Sequence, residues 1–264
     1  MNMSELSSQA APELSVATWN IADTNQSQRI GQIAEFLASR PPGITILTEL
    51  VEVNALSRAL VAELGQDFEL ESVATRSPYG DTVGLLVTGD SRIEEVEPVN
   101  TGGKKMPSFM RAVVSTPLGG ATIAAMRGAY VTAKGGWLTS GSRERKHQYR
   151  TAIDVLDDAL ASELDITLIG GDMNSFETTH DPIFAAAAYT RLTGWHPTWP
   201  DKEGIRQTNR KAQVIAAPFI ALGRSFSIDA IYGRGPVQSV DSEAVATGLS
   251  DHLYLSAQLE PIAA

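Results

Sequence analysis

Seven polar residues close or follow apolar stretches of the chain, and together their types suit phosphoryl chemistry. Asn20 ends VATWN, and Glu49 follows the apolar run ITILT. Asp172 and Asn174 stand in TLIGGDMNSF, Asp229 in FSIDAIYG, and Asp251 and His252 in LSDHLYL. Each has an ordinary reading when taken alone. An Asn after a strand is usually a turn residue, GDMN suits a turn or helix start, and Asp-His beside a strand is common on surfaces. Glu49 is the most pointed, because a carboxylate that interrupts a buried run is costly unless it has a partner. In conjunction, four carboxylates, two amides and one imidazole at strand ends match the oxygen preference of a hard cation. The expected arrangement has Glu49, Asn20 and Asp251 holding Mg²⁺ through oxygen, with a phosphate oxygen completing the shell. His252, oriented by Asp229, then polarises phosphate or moves a proton. Asp172 positions or activates water and Asn174 donates to phosphate. The choice of Asp172 or His252 as base stays open.

Such groups need rigid strands to present them. Segments 15–21, 44–48, 82–87, 111–115, 122–126, 166–169, 227–231 and 253–258 read as strands, being aliphatic or β-branched and bounded by turn residues such as PPG, TGD and TPLGG. Helical periodicity covers 26–39, 53–64, 143–164 and 182–189, the last opened by Asp181-Pro182. Two βα units precede a run of consecutive strands, then comes a long helix and further strands. That order implies an α/β (α+β) fold of two packed mixed sheets flanked by helices, not a doubly wound sheet. No repeat or linker divides the 264 residues, so 1–14 is expected as a flexible N-terminal tail and 15–264 as a single domain.

The composition is that of a globular chain, with 43% hydrophobic and 20% charged residues. No segment has the length and apolarity of a membrane span. The N-terminal segment has neither the basic start nor the apolar run of a signal peptide, so a cytoplasmic location is expected. Without cysteine there is no thiolate ligand or thiol nucleophile. A net charge of -10 argues against avid non-specific duplex binding, although basic residues cluster in SGSRERKHQYR at 140–150. Nothing in the sequence calls for an obligate protein partner.

WNI at Asn20, LTE at Glu49, GDMN at Asp172 and Asn174, IDAI at Asp229 and SDH at Asp251 and His252 resemble, in order and rough spacing, the endonuclease/exonuclease/phosphatase superfamily with its DNase I-like fold. RERKHQYR resembles that family's Arg/Gln-containing helix. The resemblance spans 15–258 and implies a four-layer α/β/β/α sandwich, Mg²⁺ or Mn²⁺ as cofactor, and hydrolysis of phosphomonoesters or phosphodiesters. Nucleic acid or a small phosphorylated metabolite is then the expected partner.

One position departs from the pattern. The family carries a second active-site histidine after a strand, whereas TIAAMRGAYV has none, and Arg127 or Gly128 stands there. Arg127 is expected to take over the phosphate contact, paired with Asp81, since a guanidinium suits phosphate but cannot act as acid or base. Loss of activity is the competing reading. Of the other histidines, His147 is expected to face solvent, His180 lies near Glu177 and close to GDMN, and His196 sits with Trp195, Pro197, Trp199 and Pro200 in a loop-like stretch. Lys134 and Trp137 are candidates for a flap over substrate, or for an ordinary exposed loop. Set against a phosphodiesterase or nuclease are a phosphatase or phosphodiesterase for a metabolite or lipid headgroup, and a non-catalytic binding protein. The last has no need of so many converging charges.

Overall fold

The computed structural model describes residues 12–22, 26–75, 82–100, 109–128, 140–159, 166–173, 189–193, 229–250 and 252–262. One sheet contains β1 (Leu14–Asn20), β2 (Gly43–Leu50), β3 (Phe68–Ala74), β4 (Thr82–Thr88), β11 (Val237–Val245) and β12 (Tyr254–Pro261). The other contains β5 (Arg92–Val99), β6 (Phe109–Thr116), β7 (Gly119–Arg127), β8 (Ile166–Asp172), β9 (Thr190–Arg191) and β10 (Asp229–Arg234). Their orders are β11-β12-β1-β2-β4-β3 and β5-β6-β7-β8-β10-β9. Each sheet has one parallel pair at its centre, β1 with β2 and β7 with β8, and antiparallel neighbours outside it.

Both faces of the central strands are covered, which explains their near-continuous apolar sequences. Side chains alternate between layers. Val16, Ile44, Ile46, Val83 and Leu85 meet Met110, Ile123, Ala125, Leu168 and Ile231 between the sheets. Ala17, Trp19, Leu47 and Leu86 face outward against Ile33 and Leu37 of α1 (Gln26–Ala38) and Leu56 and Leu60 of α2 (Val53–Leu64). On the far side, Ala124, Met126 and Ile169 pack under Tyr149, Ala152 and Leu156 of α3 (Ser140–Ala159). The result is the expected four-layer α/β/β/α sandwich.

Eight of the expected strands are present, the segment at 227–231 being described from Asp229. The strands not foreseen are β3, β5, β9 and β11. Helix α3 begins three residues earlier than periodicity suggested, while 160–164 and the expected helix start at 182–188 lie outside the described residues. Among the described residues no helix is long and apolar enough to cross a membrane.

Candidate active site

The two central parallel pairs deliver their carboxyl ends to one place. Asn20 closes β1 and Glu49 lies near the end of β2, while Arg127 and Asp172 close β7 and β8. Register aligns Arg127 with Asp172, and Asp172 with Asp229 at the start of β10. Three ionisable residues therefore stand side by side across one sheet edge, facing Asn20 and Glu49 from the other sheet. Glycine makes the close approach possible. A Cβ at Gly171 (φ 133°) would sit 1.9 Å from the Met126 carbonyl oxygen, a distance no side chain tolerates.

Glu49 adopts φ 56°, and Ala22 φ 54°; among the described residues these are the two non-glycine positions with positive φ. Left-handed backbone costs such residues about 1 kcal/mol, so surrounding contacts must hold them there. The Gln26 side chain does so. Its Nε2 donates to the carbonyls of Ala22 (3.1 Å) and Glu49 (3.0 Å), while its Oε1 accepts from the amides of Val51 and Glu52, each at 2.8 Å. The β2–β4 ladder shifts register between Leu47 and Leu50. Glu49 thus leaves the regular pleat, as bulged residues near active sites do.

Two polar links tie the sheets together at this end. Asn20 Nδ2 donates to Asp172 Oδ2 (3.0 Å), and its Oδ1 accepts from the Ala22 amide (3.0 Å). Arg127 donates through Nη2 to Glu49 Oε1, with its Nε 3.9 Å from Asp172 Oδ2. The guanidinium thus lies between carboxylates of opposite sheets. Asp172 is 2% exposed. Burial first, and the nearby Asp229 second, push its carboxyl up to about 7, against the opposing pull of His252 and Arg127.

His252 forms a dyad with Asp229, Nδ1 to Oδ2 at 2.7 Å, and Asp229 is fully buried. A carboxylate can only accept, so Nδ1 carries the proton and Nε2 is the nitrogen able to take up or give one. Ser250 fixes the approach of this segment: its hydroxyl donates to the Asn20 carbonyl (2.5 Å) and accepts from the His252 amide (3.1 Å). Below the site, Tyr149 donates to the Met173 carbonyl and Gly128 N donates to the Asp172 carbonyl at 2.6 Å.

No protein-family model and no curated relative matches the chain. Solved structures do. D. rerio TDP2, in a structure complexed with single strand DNA product, is 17% identical with TM-score 0.67, over 94% of this chain and 99% of that one. An endonuclease/exonuclease/phosphatase from Bacteroides vulgatus is 15% identical with TM-score 0.68, again over 94% and 99%. The mannosyl-6-phosphatase Bt3783 of Bacteroides thetaiotaomicron is 13% identical with TM-score 0.64, over 93% and 99%. The chain has the fold of the endonuclease/exonuclease/phosphatase superfamily.

Of the site residues inferred from that superfamily's motifs, Asn20, Glu49, Arg127, Asp172, Asp229 and His252 come together at one end of the sandwich. Asn174, Asp251 and Asp81 lie outside the described residues, as do Lys134, Trp137, Glu177, His180 and His196. His147 is exposed, as expected. Of the two candidates Arg127 and Gly128, the one whose side chain enters the site is Arg127. Gly128 instead packs against the backbone, where a Cβ would fall 2.1 Å from the Met173 carbonyl oxygen. Gln26, Ser250 and Tyr149 were not anticipated. Gln26 left a signal, a polar residue four and seven positions before Ile30 and Ile33 on the apolar face of α1.

The donors suit a hard cation. Glu49 and the Asn20 amide oxygen are the groups that could offer oxygen ligands, and the Arg127 guanidinium beside Glu49 shows that this place holds positive charge. Among the described residues no three acidic or histidine side chains converge on a common point. Mg²⁺ does not need them, because it keeps several waters and takes one or two carboxylates.

Proposed function

We propose that this protein is a divalent-metal-dependent phosphoester hydrolase, with a phosphodiester as its preferred substrate. The observation that carries the reading is the Asp229–His252 dyad set beside Asp172, opposite Glu49 and Asn20, at the meeting point of two sheets. A binding scaffold gains nothing from setting Asp172 and Asp229 side by side out of water, whereas hydrolysis uses both.

Glu49 and Asn20, with Asp251, hold Mg²⁺ or Mn²⁺, which supplies charge neutralisation at the phosphoryl group. Asp172, fixed by the Asn20 amide, orients the attacking water and accepts its proton. His252, held in one tautomer by Asp229, donates from Nε2 to a phosphate oxygen when protonated. Arg127 and Asn174 supply further donors to phosphate, the guanidinium offering a forked pair. Arg127 keeps the electrostatic part of the role usual for a histidine there and gives up proton transfer.

The phosphodiester preference is supported by the likeness to TDP2, which has been crystallised with a single strand DNA product. A second reading, a small phosphorylated metabolite, is favoured by the net charge of -10 and by the likeness to a mannosyl-6-phosphatase. Hydrolysis of bis-p-nitrophenyl phosphate, p-nitrophenyl phosphate and a single-stranded oligonucleotide, with Mg²⁺, Mn²⁺ or EDTA, tests both. Turnover is expected with metal alone, and Glu49→Ala should lower it at least about 10²-fold. Equal turnover in EDTA, or an unimpaired Glu49→Ala variant, refutes the proposal. A strong preference for the monoester selects the second reading.

A further inference from the structure

We propose that Arg127 is a built-in counter-cation of this site, and that a divalent ion displaces it from Glu49, releasing the guanidinium to bind substrate phosphate. The inference rests on the metal reading given above and adds an order of events to it. Arg127 pairs with Glu49 and also lies 3.9 Å from Asp172, so one guanidinium neutralises a carboxylate from each sheet. The side chains of Arg127 and Glu49 are each only 16% exposed. Removing one partner of so enclosed a pair leaves the other charge poorly solvated. The Glu49 backbone is held independently of Arg127, because Gln26 binds the Glu49 and Ala22 carbonyls and the amides of Val51 and Glu52. Arg127 therefore answers a charge that the backbone imposes.

A divalent ion held by Glu49 and Asn20 would bring two positive charges to the carboxylate that the guanidinium now contacts. The two cations would repel and compete for the Glu49 carboxylate, so binding one would weaken the other by reciprocal linkage. Once off Glu49, the guanidinium retains Asp172 as a neighbour and turns the donor released from Glu49 to an anion, the ligand its fork suits best. Metal binding and phosphate recognition become coupled through one side chain. The metal weakens the contact that occupies Arg127 and thereby raises the affinity for phosphate.

The test is Mn²⁺ binding by calorimetry or electron paramagnetic resonance at fixed ionic strength, on the full chain and on Arg127→Met and Arg127→Lys variants. Inorganic phosphate is then titrated with Mn²⁺ and with EDTA. Arg127→Met is expected to bind Mn²⁺ about tenfold more tightly than the wild type, with Arg127→Lys between them. It should lose about tenfold in phosphate affinity when Mn²⁺ is bound and less than about twofold in EDTA. Equal Mn²⁺ affinity in wild type and both variants overturns the displacement while leaving the metal reading intact. A phosphate deficit of the same size with and without metal overturns the release step. Failure of every protein to bind Mn²⁺ overturns this inference and the metal reading together. Arg127→Lys carries the same comparisons if Arg127→Met does not fold in EDTA.

Discussion

Asp172 faces Asp229 across the ladder and is sealed from water, so its negative charge is expensive. Its carboxyl, raised from 3.8 to about 7, binds a proton in the folded state over a range where the unfolded chain has already released it. A native state that holds the extra proton loses stability as pH rises through that window, and the loss is complete above about 7. Asp172→Asn removes the titration while keeping the shape and an acceptor for Asn20. In EDTA, the variant's stability advantage should therefore open between pH 4 and 7 and then level off, at no more than about 4 kcal/mol. Urea unfolding of both proteins at pH 5 and pH 8 reads it directly. A gap that closes with rising pH would mean that the site stabilises the carboxylate, not the acid. The same substitution should abolish turnover, since stability and activity pull in opposite directions at such positions. Much at this scale was legible from sequence, because Asn20, Glu49, Asp172, Asp229 and His252 are chemically conspicuous where an apolar strand ends. The Arg127–Glu49 pair was not, because its partners lie 78 positions apart in different sheets and only the packing of the layers brings them together.

At the scale of elements, the start of α1 is part of the site although no residue in it was expected to be. Gln26 is 2% exposed and satisfies four backbone groups around the strained Ala22 and Glu49. Gln26→Leu keeps the volume and removes the hydrogen bonds. It should cost about 1–3 kcal/mol of stability and let Glu49 relax toward ordinary β geometry. Turnover should fall by about tenfold or more with a weaker apparent metal affinity, since small displacements of positioning groups are costly. Denaturant midpoints and Mg²⁺ titrations of activity separate the two effects. A variant that loses stability yet keeps wild-type metal dependence would show that Glu49 holds its backbone without help. Legibility among the strands follows burial. The eight that were read from apolar runs lie inside the sheets, and the four that were missed, β3, β5, β9 and β11, are the sheet edges. Sequences such as RIEEVEPV and VQSVDSEAV are charged because an edge must resist pairing with another chain. The same charges dilute the apolar pattern by which a strand is recognised.

For the whole molecule, the candidate site lies where four central strands end, and a net charge of -10 opposes the approach of polyanions. A protein that grips single-stranded nucleic acid through many phosphates releases counterions, giving a log–log salt slope of about -0.7 per contact. An acidic chain that recognises mainly the scissile phosphodiester through its own site makes few such contacts. The expected dependence of kcat/KM for a single-stranded oligonucleotide on NaCl is therefore shallow, with a slope no steeper than about -2. Bis-p-nitrophenyl phosphate, which carries a single charge, should show less still. Steady-state rates between 50 and 300 mM NaCl at saturating Mg²⁺ measure both, and Ca²⁺-free buffers at constant free Mg²⁺ keep metal competition out of the comparison. A slope steeper than about -4 would contradict the expectation. It would direct attention to the basic residues clustered in SGSRERKHQYR at 140–150. A shallow slope combined with efficient oligonucleotide cleavage instead makes the local site, with Arg127 released onto one phosphate, sufficient for recognition.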